Sequence, residues 1–179
     1  RLQTGASMTG VSGRFTSRLP EVEATTSYTV TTTYPWGALS MLVDIALPST
    51  TTVHILEEKS LSLNGRKLEL GGDLVVEISN TPSDGLRLTN PADVLLVGGE
   101  ATFITASHNY NATSEGNLSA GEIHFRGGFE QRREDQYTSG KGFVSTGTKV
   151  FFDAAGGQTA LFEDPGTSES RFADMEIAN

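Results

Sequence analysis

The stretch KLELGGDLVV, residues 67 to 76, decides how the rest of the chain is read. Its apolar pair, Leu68 and Leu70, has one residue between its members, the spacing of one face of a β-strand. The pair recurs along the chain. Leu95 with Val97, Ile123 with Phe125, and Val150 with Phe152 follow it at a nearly constant interval of about 27 residues, a repeat-protein period. Met41 and Val43 stand one such interval before the first pair. Another apolar position comes shortly after each pair, at Leu47, Leu74, Ala101 and Phe129. Small-residue corners accompany the pairs at Gly71-Gly72, Gly98-Gly99, Gly127-Gly128 and Gly156-Gly157.

A unit that recurs every ~20–50 residues marks a solenoid or array. A short strand cannot bury its apolar face alone. Stacking the next copy ~4.8 Å away supplies the missing layer and lets backbone hydrogen bonds run from copy to copy. The interval therefore predicts an all-β fold, a parallel β-solenoid with coils of about 27 residues, each holding two or three short strands. Crossover chirality makes right-handed winding the default. Like residues should stack as Met41/Leu68/Leu95/Ile123/Val150 and Val43/Leu70/Val97/Phe125/Phe152, with glycine at the corners for positive φ and close approach. Residues 39–179 form the repeat domain, and residues 1–38 a flank or capping segment in which Trp36 could plug an open end of the core. Ile177, one interval beyond Val150, reads as the start of another coil. The chain is thus expected to continue, or to dock end to end with another copy.

A rival reading starts from Asn64-Gly65, a favourable type I′ dipeptide. A two-residue hairpin there would make the chain an antiparallel β-sandwich, but would leave the recurring interval unexplained.

Composition narrows the function. The 179 residues carry a formal charge of −9, which disfavours nucleic acid or an anionic membrane as partner. The one notable basic pair, Arg132-Arg133, is flanked by Glu130, Glu134 and Asp135 and reads as a solvated loop. No apolar run approaches the ~20 residues of a membrane helix. There is no cysteine, so neither disulfides nor thiolate-bound metals contribute. No signal peptide is visible, and the start at Arg1 reads as a mature product or an excised piece.

Chemistry-bearing constellations are sparse. His54 and His124 alternate with apolar strand residues and should point outward, while His108 lies in a polar loop; the three lack metal-ligand spacing. Asp73 and Glu100 occupy equivalent places in successive coils, where a Ca²⁺ ion or a basic neighbour would relieve their repulsion. Apart from that Ca²⁺, no cofactor is expected. Tyr110 and Tyr137, one interval apart in the variable loops, would emerge on one side and make a ligand face for a surface glycan. No G-x-S-x-G elbow and no phosphate loop is present.

Two stretches carry a resemblance. Pro48, Thr50 to Val53, Leu61, Leu63, Asn64, Gly65, Leu68, Leu70, Gly72, Asp73 and Leu74 follow a pattern similar to segments of secreted bacterial repeat proteins. Gly147, Thr148, Val150, Phe152, Gly157, Gln158, Thr159, Phe162, Pro165, Gly166, Phe172, Ile177 and Asn179 resemble a motif of large bacterial surface proteins of adhesin-like and RHS type. The resemblance implies a stacked-β extracellular or cell-surface architecture, and a scaffold more than a chemistry. The expected role is a non-enzymatic structural or adhesive module of a surface or filament-forming protein. Its partners would be neighbouring modules or copies of itself. The alternatives are a carbohydrate-binding module, or a β-helix polysaccharide lyase or hydrolase with a groove lined by acids and bases.

Overall fold

The computed structural model describes residues 8–10, 14–15, 26–32, 38–79, 84–106 and 111–178. Trp36, His108 and Tyr110 lie outside them. The described residues contain seventeen short strands and no helix. The chain opens with β1 (Met8–Gly10), β2 (Arg14–Phe15), β3 (Thr26–Thr32), β4 (Ala38–Met41), β5 (Ile45–Leu47) and β6 (Thr51–Ile55). Two further coils of three strands follow: β7 (Ser60–Ser62), β8 (Lys67–Leu70) and β9 (Leu74–Ile78), then β10 (Gly85–Arg87), β11 (Val94–Val97) and β12 (Ala101–Thr105). The last strands are β13 (Glu122–Phe125), β14 (Phe129–Arg133), β15 (Lys149–Phe152), β16 (Ala160–Phe162) and β17 (Asp174–Ile177).

These strands stack into three sheets in which every named pairing is parallel. The first runs β1-β3-β6-β9-β12-β14-β16, the second β2-β4-β7-β10, and the third β5-β8-β11-β13-β15-β17. Each coil visits the second, third and first sheets in that order. The protein is a parallel β-solenoid with coils of about 27 residues, and the antiparallel sandwich is ruled out.

The third sheet carries the interval read from the sequence. Leu68 pairs with Leu95, Leu95 with Ile123 and Ile123 with Val150; the parallel column is Leu70, Val97, Phe125 and Phe152. All eight are buried, and each contributes ~1.5–3 kcal/mol through the apolar area it removes from water. Leu74, Ala101 and Phe129 form the matching column on the first sheet.

The ends of these columns differ from expectation. Ile45 and Leu47, not Met41 and Val43, pair with Leu68 and Leu70. Met41 belongs to β4 in the second sheet, and Val43 is 41% exposed in a bend. Leu47 consequently does not precede Leu74; Val53 does. The first coil on this sheet is shorter than the later ones, so a fixed offset lands on the wrong alternating run. At the other end Val150 pairs with Met175 and Phe152 with Ile177, so the expected partner of Val150 sits one inward position further along the strand.

Asn64-Gly65 makes a corner, not a hairpin. Both residues have positive φ, 54° and 77°, as the dipeptide favours. The strands on either side, β7 and β8, nevertheless lie in different sheets. The Asn64 Nδ2 donates to the Met41 carbonyl in the coil before (3.1 Å), a bond between coils that a hairpin would not make.

The paired glycines act through proximity. None of Gly71, Gly72, Gly98, Gly99, Gly127 or Gly128 has positive φ. A Cβ on Gly127 would lie 2.1 Å from the Gly99 carbonyl oxygen, and one on Gly98 would lie 2.6 Å from that of Gly71. The corner backbones stack directly on one another, with Gly98 N donating to Leu70 O and Gly99 N to Gly72 O. Gly156 and Gly157 have nothing near a built Cβ, so the fourth corner lacks this constraint.

Later coils lose strand structure on the second sheet, where Leu118, Val144, Ser145 and Arg171 continue it as isolated bridges. Side chains share the backbone hydrogen bonding there, beside backbone pairs such as Ser145 N to Arg171 O. Val144 N donates to Ser114 Oγ and Phe143 N to Ser170 Oγ. The core changes character along the same direction, from aliphatic to phenylalanine. Phe129 lies 5.0 Å from both Phe125 and Phe143, and further ring contacts extend to Phe152, Phe162 and Phe172.

Candidate functional site

The strand faces put chemistry-bearing groups on three regions: the glycine corners, the outer surface of the first sheet, and the end of the last coil.

At the corners, Asp73 and Glu100 are both exposed. Asp73 Oδ1 accepts the Glu100 backbone N–H at 2.8 Å. The Glu100 carboxylate lies over Gly128, where a Cβ would come 2.2 Å from Oε2. Each acid thus covers the glycine of the next coil, and one Asp73 oxygen is spent on the backbone. Partial burial, followed by the charges of Glu130 and Asp73, raises the Glu100 carboxyl above its ordinary value. The described residues contain no group of three or more His, Asp or Glu side chains arranged to hold a metal ion.

At the C-terminal ends of the first-sheet strands, the outward residues Glu77, Ile104 and Arg132, with Glu57, Ala106, Arg133 and Glu134 at the strand ends, line a groove of about 290 Å³. Arg132 and Arg133 end strand β14 and are not in the loop expected of them. Two of the groove's charges are paired with residues beside it. His54 Nε2 meets Glu77 Oε1 at 2.8 Å. Arg133 pairs with Asp164, and its backbone N–H donates to Glu163 Oε2 at 2.6 Å. His124, on the outer face of the third sheet, lies flat on Phe151 with ring centres 4.4 Å apart, and its Nδ1 is 2.9 Å from Asp153 Oδ2. Both described histidines face outward, as the alternation predicts.

Tyr137 is 51% exposed in the turn after β14, where its backbone N–H donates to Asp135 Oδ1 at 2.7 Å. Tyr110 lies outside the described residues, so the two tyrosines are not brought together here.

The end of the last coil is only partly legible in the sequence. Met175 and Ile177 continue the inward columns of the third sheet, yet they are 48% and 63% exposed. Phe162 and Phe172 pack against the core and remain half-buried. Lys149 Nζ bonds Glu176 Oε2 at 2.8 Å, which ties this coil to the one beneath and raises the ammonium's pKa. The sequence signal is the apolar spacing of Met175 and Ile177; their exposure is seen only in the structure.

No described helix is long and apolar enough to cross a membrane. No family model, curated protein or solved structure matches the chain.

Proposed function

We propose that this protein is a non-enzymatic structural and adhesive module of a secreted or cell-surface bacterial protein, a rigid spacer that extends by stacking. The observation that carries this reading is the in-register stack itself. Leu68, Leu95, Ile123 and Val150 are buried in one column that runs through four successive coils, so the fold grows along one axis as coils are added. The mutual engagement of His54 with Glu77 and of Arg133 with Asp164 supports a structural use of those charges. The resemblance of residues 39–75 and 147–179 to bacterial surface repeats supports the location. The test is incubation with a panel of neutral and uronate-containing polysaccharides. No new reducing ends and no unsaturated uronates are expected; release of either would overturn the reading.

One observation favours a second reading, a carbohydrate-binding or polysaccharide-cleaving module. The groove on the first sheet combines Glu57, Glu77 and Glu134 with Arg132 and Arg133 around the apolar Ile104. Glycan-array binding that disappeared in a Tyr110→Ala, Tyr137→Ala variant would support the binding form of it.

A further inference from the structure

We propose that Asn64 is a site of spontaneous covalent modification, deamidation through a succinimide, and that the buried Asp93 carboxylate of the next coil holds the reaction off while the corner is closed.

The reactive pair is Asn64-Gly65. Asn64 is the only asparagine in the chain followed by glycine. Glycine has no Cβ, so its backbone nitrogen is the least hindered toward the preceding side chain. In the reaction Gly65 N loses its proton to hydroxide and attacks Asn64 Cγ. The N–Cγ bond forms and the Cγ–Nδ2 bond breaks. The departing nitrogen takes a proton from water and leaves as ammonia, which returns the hydroxide. Water then opens the succinimide at either carbonyl, leaving aspartate or isoaspartate. No reagent beyond solvent is needed.

Burial does not guard this pair, because Asn64 is exposed. Hydrogen bonding does. In the succinimide, Asn64 Cγ takes the place on Gly65 N that the hydrogen holds in the folded protein. That hydrogen points at Asp93 Oδ1, 2.5 Å from the nitrogen. Asp93 is fully buried, and its other oxygen accepts from Thr89 N and Asn90 N, so the carboxylate cannot swing away. Removing the Gly65 proton would also leave a nitrogen anion against a carboxylate. The leaving group is held as well, since Asn64 Nδ2 donates to Met41 O in the coil before, at 3.1 Å. Both bonds join coils. Cyclisation therefore waits for the stack to open locally, and its rate falls with the population of the open form.

The change is one-way. Either product replaces the Nδ2 donor by a carboxylate, which meets the Met41 carbonyl as acceptor against acceptor. Isoaspartate also lengthens the backbone by a methylene at a corner whose two residues sit at positive φ. The modified corner does not close as before, so a coil that has opened is left marked.

The experiment is peptide mass mapping of the full 179-residue chain aged in mildly alkaline buffer, native and in concentrated guanidinium chloride, with isoaspartate counted by enzymatic methylation. Conversion of Asn64 should run at least ~10-fold slower in the native protein than in denaturant, since only the open form reacts. Asp93→Ala, checked for a cooperative melt, should move the native rate at least ~3-fold toward the unfolded one. Should that variant not fold, Gly65 amide exchange in the parent carries the same test, because exchange and deamidation should be slowed together relative to the unfolded chain. Asn64→Asp keeps a residue type that tolerates positive φ and loses only the donor, so it should melt below the parent. Equal or faster conversion in the native protein would overturn the proposal. So would a folded Asp93→Ala variant with the parent rate, or a Gly65 amide that stays protected while Asn64 converts freely. An Asn64→Asp melt equal to the parent's would overturn the one-way step.

Discussion

Asp93 accepts the backbone N–H of Gly65, in the coil before its own, at 2.5 Å, and is completely buried in doing so. Its other oxygen accepts the N–H groups of Thr89 (2.8 Å) and Asn90 (2.9 Å). One carboxylate therefore closes its own turn and clamps the positive-φ corner beneath it. Bonds to a charged acceptor are worth about 1.5–3 kcal/mol each, and truncation leaves buried donors without a partner. Asp93→Ala should lower unfolding free energy by about 3 kcal/mol or more in urea titrations. Asp93→Asn, which keeps the shape but turns an NH₂ toward a donor, should fall between it and the parent. A loss below ~1 kcal/mol for the alanine variant would mean that the corner holds without this clamp.

The corner glycines allow a paired comparison. Gly127→Ala would drive a methyl to 2.1 Å from the Gly99 carbonyl, which is backbone and cannot swing aside. Gly157→Ala meets nothing. The first should destabilise by several kcal/mol, on the scale of overpacking, and the second should be neutral or slightly stabilising through the unfolded chain. Thermal melts of the two variants check this; equal shifts would contradict the stacked-corner geometry.

Two glutamates should impose opposite pH dependence. Glu100 is raised by partial burial and then by Glu130 and Asp73, so the fold favours its protonated form. Its contribution is fully present below the ordinary carboxylate value and is lost as pH rises through the raised one. Glu69 is lowered, first by its hydrogen bond to Lys67 and then by that residue's charge. Its contribution is present above the ordinary value and is lost as pH falls through the lowered one. Both side chains are solvated enough that each effect should stay under ~1 kcal/mol. Chemical denaturation at about pH 7 and about pH 3 should show Glu100→Gln stabilising, and Glu69→Gln destabilising, at the higher pH only. The same sign for both would refute these assignments.

The middle of the solenoid was legible because each third-sheet strand is an alternating apolar pair tied to a corner of nearly constant length. Leu68, Leu95, Ile123 and Val150 could be stacked by counting. Counting failed at both ends, where loop lengths change. It placed Met41 and Val43 in positions held by Ile45 and Leu47, and it put Ile177 in the column of Met175. Leu96 shows a second limit. Alternation puts it on the outer face between Glu69 and His124, yet it is only 8% exposed, because side chains of the flanking coils can cover an outward residue. The Asp93 clamp and the serine hydroxyls at Ser114 and Ser170 carry no periodic signature, since each serves one turn. The groove was equally hidden, because Glu57, Glu77 and Arg132 come from different coils and meet only through the register.

The central claim is that coils stack parallel and in register, and a cysteine pair tests it directly in a chain that has no cysteine of its own. Thr102 and Glu130 are register partners on the outer face of the first sheet, one coil apart. In-register neighbours ~4.8 Å apart lie within the ~4.4–6.8 Å Cα separation that a disulfide accepts. The Thr102→Cys, Glu130→Cys variant should form an intramolecular disulfide nearly completely under mild oxidation, while Thr102→Cys with Arg132→Cys, which is out of register with it, should form little. Equal yields from the two variants, or no bond in the first, would contradict the parallel stack.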